Sequence, residues 1–404
     1  WIRDSLSIDD SGSITFSYNA QDYDSGTYDM GLMFAGMEIP TDSACTQTNG
    51  AVSSRVSAGV IRLSPQGESE WLVDASPMNG SSCGSWQWDY YLGNAAVSSN
   101  YPGDARTVST AHPDGTVSLA VPFRGNVSIG GVIVEGNNLT DGSYSLAIAR
   151  ISQGGQVLWA DAVTSLDDGL SAFKAGAQQP YNSDWASMLT YPNGDLGIVF
   201  SDRDYASRNN DAPTISFLGE ERTPATGSWL AVARVDSTGT MVWLNVVEGA
   251  GIDYGHGTLH SVLDESDTVR ILVERDWYDS SNTWDSDFGS LRMLHLDELG
   301  RQSATSASTG TSSWNYLGQT QFDDIAIHPS GDTVIMGKPY NQKWGKQTAS
   351  TTLSDGQSIS STGGLFRLFN SISHEVEDNF AIHQQYSNLV AESDGSLSSW
   401  AILE

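Results

Sequence analysis

The chain has 404 residues, 39% of them hydrophobic, with 13 Trp, 41 Gly and a formal net charge of −30. That apolar and aromatic content is ample for a packed core, and no apolar run approaches the ~20 residues of a membrane span. A surface this acidic repels nucleic acid and anionic membrane, which removes both as partners.

Taken in order, the chain is a series of short alternating strands broken by Gly, Asn and Asp turns. No helix-period segment is long enough to count; residues 291–299 come nearest. One kind of hairpin has its turn at Asp10-Ser11-Gly12, Pro113-Asp114-Gly115, Pro192-Asn193-Gly194, Glu265-Ser266-Asp267, Pro329-Ser330-Gly331 and Ser393-Asp394-Gly395. Asp-Gly and Asn-Gly between alternating strands are strong hairpin signals. A second kind follows each of the first three. Arg62 leads through Gly67 to Trp71, Arg150 through Gly154 to Trp159, and Arg234 through Gly239 to Trp243, with the same Arg-to-Trp spacing each time. Weaker copies at His295–Gly300 and at Arg367 lose the tryptophan.

The unit is therefore strand a, tight turn, strand b, variable loop, strand c, Gly turn, strand d, variable loop. Four-stranded antiparallel units repeated in this way form the blades of a β-propeller. The expected fold is a single all-β propeller domain over 1–404. It has five complete blades, at about 1–100, 101–183, 184–257, 258–320 and 321–385, and the first hairpin of a sixth over 386–404. A bare sixth hairpin is an edge prone to pairing, so continuing polypeptide or another chain is expected to complete it. The chain opens at Trp1 with no signal peptide and reads as processed or partial.

The skeleton aliphatic-Ala-Arg-aliphatic-Ser/Asp-x-x-Gly-x-x-x-Trp resembles the bacterial SBBP β-propeller repeat family. It does so at Arg150, Ile151, Gly154 and Trp159 and at their counterparts Arg62, Leu63, Gly67, Trp71 and Arg234, Val235, Gly239, Trp243. Phe123-Arg124-Gly125 is similar to the segment that precedes that strand. The match covers residues 1 to 250 well. It implies an exported or cell-surface scaffold and carries over no catalytic residue.

Strand order puts every short turn at one end of the blades and every long connection at the other, where function is expected. The b–c connections are Asp-rich. Asp22, Asp24 and Asp29 lie in an Asp-x-Asp-x-Gly pattern that supplies oxygens on a sharp loop, making Ca²⁺ the one candidate cofactor; solvated acidic loops are the alternative. The same end is aromatic. Trp86, Trp88, Tyr90, Trp277, Trp284 and Trp314 are the candidate contacts for a protein or glycan, or else they cap the blades. The repeated tryptophans are expected to pack between blades. Cys45 and Cys83 flank one strand pair and are expected to form a disulfide in an oxidising compartment, with two free thiols as the alternative. Asn79, Asn126 and Asn138 are glycosylation sequons.

Nucleophile-elbow, zinc-protease, P-loop and Cys-x-x-Cys motifs are all absent. The reading that results is an extracellular, non-catalytic scaffold or adhesion module binding protein or glycan through the long-loop face. Neighbouring copies of the chain are a further candidate partner. The alternatives are a carbohydrate-active hydrolase on that face, which needs two carboxylates at a suitable separation, and a structural subunit of an extracellular filament or surface layer.

Overall fold

The computed structural model describes residues 6–22, 32–39, 55–77, 107–123, 125–137, 145–167, 186–201, 213–225, 229–248, 259–275, 290–306, 319–340, 349–352, 358–361, 365–369, 376–381, 387–391 and 397–400. These form strands and no helix. Contacts group the chain into two units, 1–251 and 252–404.

The first unit holds three repeats. The first has β1 (Leu6–Ile8), β2 (Ile14–Asp22), a small hairpin of β3 (Leu32–Phe34) and β4 (Met37–Ile39), then β5 (Arg55–Leu63) and β6 (Ser69–Pro77). The second has β7 (Val108–Ala111), β8 (Val117–Phe123), the hairpin β9 (Asn126–Ile129) and β10 (Val132–Glu135), then β11 (Ser145–Ile151) and β12 (Val157–Ser165). The third has β13 (Ala186–Thr190), β14 (Leu196–Ser201), the hairpin β15 (Ile215–Phe217) and β16 (Glu220–Arg222), then β17 (Trp229–Val235) and β18 (Met241–Glu248).

In each repeat the four long-range strands run as an antiparallel meander, the a–b–c–d order expected from the sequence. The hairpins between strands b and c were not anticipated. Each turns on two residues with positive φ: Ala35 and Gly36, Gly130 and Gly131, Leu218 and Gly219. That is the type I′ geometry whose twist matches the strands it joins. The β9–β10 hairpin joins the preceding sheet, giving the order β1-β2-β5-β6-β9-β10; β15–β16 likewise extends β7-β8-β11-β12. The second and third repeats thus each lend a hairpin to the sheet before them.

The core lies between the sheets. Ala58, Val60, Val73 and Ala75 of the first repeat meet Val117, Leu119, Val121, Ala147 and Ala149 of the second, with Val127, Ile129 and Val134 of the hairpin filling the gap. The next interface repeats the arrangement with Ile148, Val163, Ile198, Phe200 and Trp229, again sealed by hairpin residues Ile215 and Phe217. Alternation along the strands decides which interface each side chain enters: on β11, Ala147 and Ala149 face the first repeat while Leu146 and Ile148 face the third. The first strands sit side by side, with Thr110 Oγ1 and Thr190 Oγ1 3.2 Å apart across repeats two and three.

The second unit contains two more four-stranded meanders. One is β19 (Leu259–Leu263), β20 (Val269–Arg275), β21 (Ser290–Leu296) and β22 (Gln302–Ser306). The other is β23 (Gln319–Ile327), β24 (Thr333–Tyr340), β27 (Leu365–Phe369) and β28 (Val376–Ala381), with the small hairpin β25 (Ala349–Thr352) and β26 (Ser358–Ser361) inserted. A last hairpin pairs β29 (Ser387–Ala391) with β30 (Leu397–Trp400). Residues 291–296, the nearest approach to a helical pattern, are strand β21.

Candidate functional site

The tight-turn end is built from one device used repeatedly. In the a–b turns the first residue accepts from the glycine amide three places on and donates to the carbonyl four places on, as at Asp9, His112, Tyr191 and His328. The glycine then needs a left-handed backbone, and Gly12, Gly115, Gly194 and Gly331 all have φ between 76° and 87°. At Asp267, φ 59°, an aspartate takes this position in the fourth repeat. In the c–d turns the residue with positive φ is Gly67, Gly155 and Gly239. The sequence frame at Gly154 is therefore corrected by one residue, because it is Gly155 that stands five places after the arginine.

The even Arg-to-Trp spacing has a simple cause. Arg62 and Trp71, Arg150 and Trp159, and Arg234 and Trp243 are directly opposed pairs across a hairpin with a bulge beside the arginine. Each arginine is held by its own repeat. Arg62 donates to Asp9 Oδ2 at 2.6 Å and to Glu70 at 2.7 Å. Arg150 donates to Thr116 Oγ1 at 2.6 Å and to both oxygens of Asp114. Arg234 binds Asp195 at 2.8 Å and lies 3.8 Å over the Tyr191 ring.

The first two arginines also reach into the next repeat. Arg62 donates to the Gly115 carbonyl at 2.8 Å and Arg150 to the Gly194 carbonyl at 2.9 Å, each at the left-handed residue of the following turn. The fourth repeat keeps the contact by another route. Where strand c carries His295, its cross-strand neighbour on β20 is Arg270. Arg270 binds Asp264 at 3.0 Å in its own turn and the Gly331 carbonyl at 2.9 Å in the next repeat. In the other repeats the residue opposite the arginine is small: Thr15, Ser118 or Gly197.

These turns are electrostatically tuned. Burial alone would raise the Asp9, Asp114 and Asp264 carboxyls, yet hydrogen bonds from the turn's own Ser or Thr, with the arginine added, hold all three below the ordinary value. His112, with Nε2 2.8 Å from Ser118 Oγ, is pushed down to about 3, first by burial and then by Arg150. Both His112 and Ser118 are buried, so the pair cannot meet a substrate.

Trp71 and Trp159 do join neighbouring repeats, from partly buried positions packed against the core clusters. Trp71 donates from its indole to the Gln153 carbonyl at 2.8 Å. A Cβ built on Gly155 would lie 2.9 Å from Trp71 Cγ, and one on Gly239 would lie 2.9 Å from Trp159 Cγ. A paired measurement isolates this contact. Gly67 has the same positive φ, but a Cβ there would meet nothing within 4 Å. Gly67→Ala should cost only the backbone strain, about 1–2 kcal/mol. Gly155→Ala should cost a further 1–3 kcal/mol, roughly, for displacing Trp71. Equal urea midpoints for the two variants would refute the staple.

The opposite end carries the long connections. Asn137 closes the mouth of the second repeat there. Its amide donates to Ser145 Oγ, its Nδ2 to the Ser165 carbonyl, and its Oδ1 accepts from the Ser165 amide. Asp22 ends β2 opposite Arg55; Asp24 and Asp29 lie outside the described residues. Among the described residues no group of three or more His, Cys, Asp or Glu is placed to hold a metal. Trp86, Trp88, Tyr90, Trp277, Trp284 and Trp314 also lie outside them, as do Cys45, Cys83, Asn79 and Asn138. Asn126 is exposed at the first position of β9. No described helix is long and apolar enough to cross a membrane.

No protein-family model and no curated protein matches the chain. Among solved structures it is similar to a protein of unknown function from Bacteroides caccae, at 11% identity and a TM-score of 0.39, covering 94% of this chain and 81% of that one. It is also similar to a PL25 ulvan lyase, at 10% identity and a TM-score of 0.39, covering 83% of this chain and 72% of that one. A third is a GH43_1 enzyme from Xanthomonas citri in complex with xylotriose, at 10% identity and a TM-score of 0.33, covering 88% of each chain. The case for the fold rests on this chain's own sheets. These neighbours include polysaccharide-acting enzymes, against the expectation of a non-catalytic scaffold or adhesion module, which is corrected here and not carried forward.

Proposed function

We propose that the chain is an exported β-propeller of SBBP-like repeats that acts on a polysaccharide at the end carrying its long connections. One observation carries the reading. Within each unit the meander order puts the tight Gly turns at one end of the strands, and the acids and aromatics singled out in the sequence belong to the b–c and d–a connections, which leave from the other end. Trp86, Trp88, Tyr90, Trp277, Trp284 and Trp314 would stack on sugar faces, with loop carboxylates as acid and base. The Asp22, Asp24 and Asp29 cluster would order its loop around Ca²⁺. A net charge of −30 disfavours a polyanionic substrate, so a neutral polysaccharide is the expected class. Incubation with neutral and anionic polysaccharides should release new reducing ends from a neutral one. Trp277→Ala should weaken binding to that glycan by about tenfold or less, the usual worth of one aromatic stack. Absence of product and of binding across the whole panel would overturn the proposal.

A further inference from the structure

The hairpins inserted between strands b and c occupy equivalent places in the first three repeats, but only two of them meet the strand they are shaped for. β9 pairs on its outer edge with β6, the last strand of the repeat before it, at Ala75–Ile129, Ser76–Ser128 and Pro77–Val127. β15 pairs with β12 in the same way at Thr164–Ser216 and Ser165–Ile215. β3 pairs with β4 alone among the described residues. Where β9 has Ser128 and β15 has Ser216 in these ladders, β3 presents Met33, 62% exposed.

Strand β1, at the opposite edge of the first repeat's sheet, also carries exposed apolar side chains. Leu6 and Ile8 of β1 are 58% and 61% exposed, whereas Ser109, in the position of Leu6 one repeat later, is 7% exposed beneath the first repeat. The hairpin itself is firmly seated. Phe34 meets Phe16 edge-on at 4.8 Å, and Ile39 joins Phe16, Tyr18 and Ile61 in a buried cluster. A supported hairpin with a bare outer edge and apolar side chains along it is a strand acceptor.

We propose that the outer edge of β3 accepts the last strand of a repeat from a second copy of this chain, whose repeat then covers Leu6 and Ile8 as the first repeat covers Ser109. The occupant is specified by continuity with an interface the chain already makes twice, β6 on β9 and β12 on β15. Each copy also has a donor: β28 is hydrogen-bonded to β27 on one side only among the described residues. The contact is head-to-tail, since donor and acceptor are different surfaces. With −30 on each copy, it strengthens as salt screens the repulsion.

The test uses the full chain. Sedimentation from micromolar to submillimolar concentration should show association that rises with added salt, and hydrogen exchange over residues 32–39 should slow in step with it. Met33→Pro removes a ladder amide, and Ile8→Asp leaves β3 untouched; each should weaken association at least tenfold with the near-ultraviolet tryptophan signal unchanged. A monomer at every concentration would overturn the proposal. So would association that survives both variants, and so would exchange protection at residues 32–39 that ignores concentration, since that edge would then be covered by its own chain.

Discussion

Arg62→Ala is expected to destabilise the protein by about 3–5 kcal/mol, the usual result of removing one partner of a buried ion pair. Arg62 and Asp9 are both 1% exposed at 2.6 Å, so truncation strands a carboxylate as well as the Gly115 carbonyl. Arg150→Ala should cost less, because its partner Asp114 is 47% exposed and water can replace the guanidinium. The double variant Arg62→Met with Asp9→Asn should recover much of the loss, since no fully buried charge remains and the Glu70 carboxylate, 35% exposed, can be solvated. Urea unfolding of the set checks the order; a loss under about 1 kcal/mol for Arg62→Ala would refute the buried pair.

Acid should have a comparable effect through His112. Its folded value of about 3 lies below the ordinary 6.5, so between those values the unfolded chain takes up a proton that the folded one refuses. Stability then rises with pH across that window and is lost on acidification, by about 1.4 kcal/mol per pH unit and roughly 5 kcal/mol in all. The depressed Asp9, Asp114 and Asp264 carboxyls add a loss of the same sign as pH falls below 3.8 toward their folded values. His112→Gln should flatten the slope between pH 6.5 and 4 while leaving the steeper acid limb. An unchanged slope would mean that His112 titrates normally.

The sequence reveals the repeat frame because paired residues across a fixed turn keep a fixed spacing; Arg62 and Trp71 are neighbours for that reason. It conceals Arg270, whose role depends on a cross-strand neighbour twenty-five residues away, at His295. It does not show how deeply Trp159 sits, since an even spacing fits a fully buried residue and a partly buried staple equally well. The inserted hairpins had a signal in Ala35-Gly36, Gly130-Gly131 and Leu218-Gly219, each between short strands, but strands of three or four residues carry too little alternation to stand out. The site residues chosen from the long connections were selected by chemistry alone. Side-chain type shows that a loop is rich in acids and rings, but not which of them converge.

The forward-reaching arginine has a consequence for how such a chain can grow. The second repeat brings both an outgoing donor, Arg150, and an incoming acceptor, the Gly115 carbonyl. It also lends a hairpin to the sheet behind and receives one from the repeat ahead. Duplicating or deleting such a module therefore creates no orphaned partner at the new junction, since each end finds the counterpart it left. Lineages can lengthen or shorten the array in whole steps while each loop diverges independently, and the energetic coupling stays between nearest neighbours.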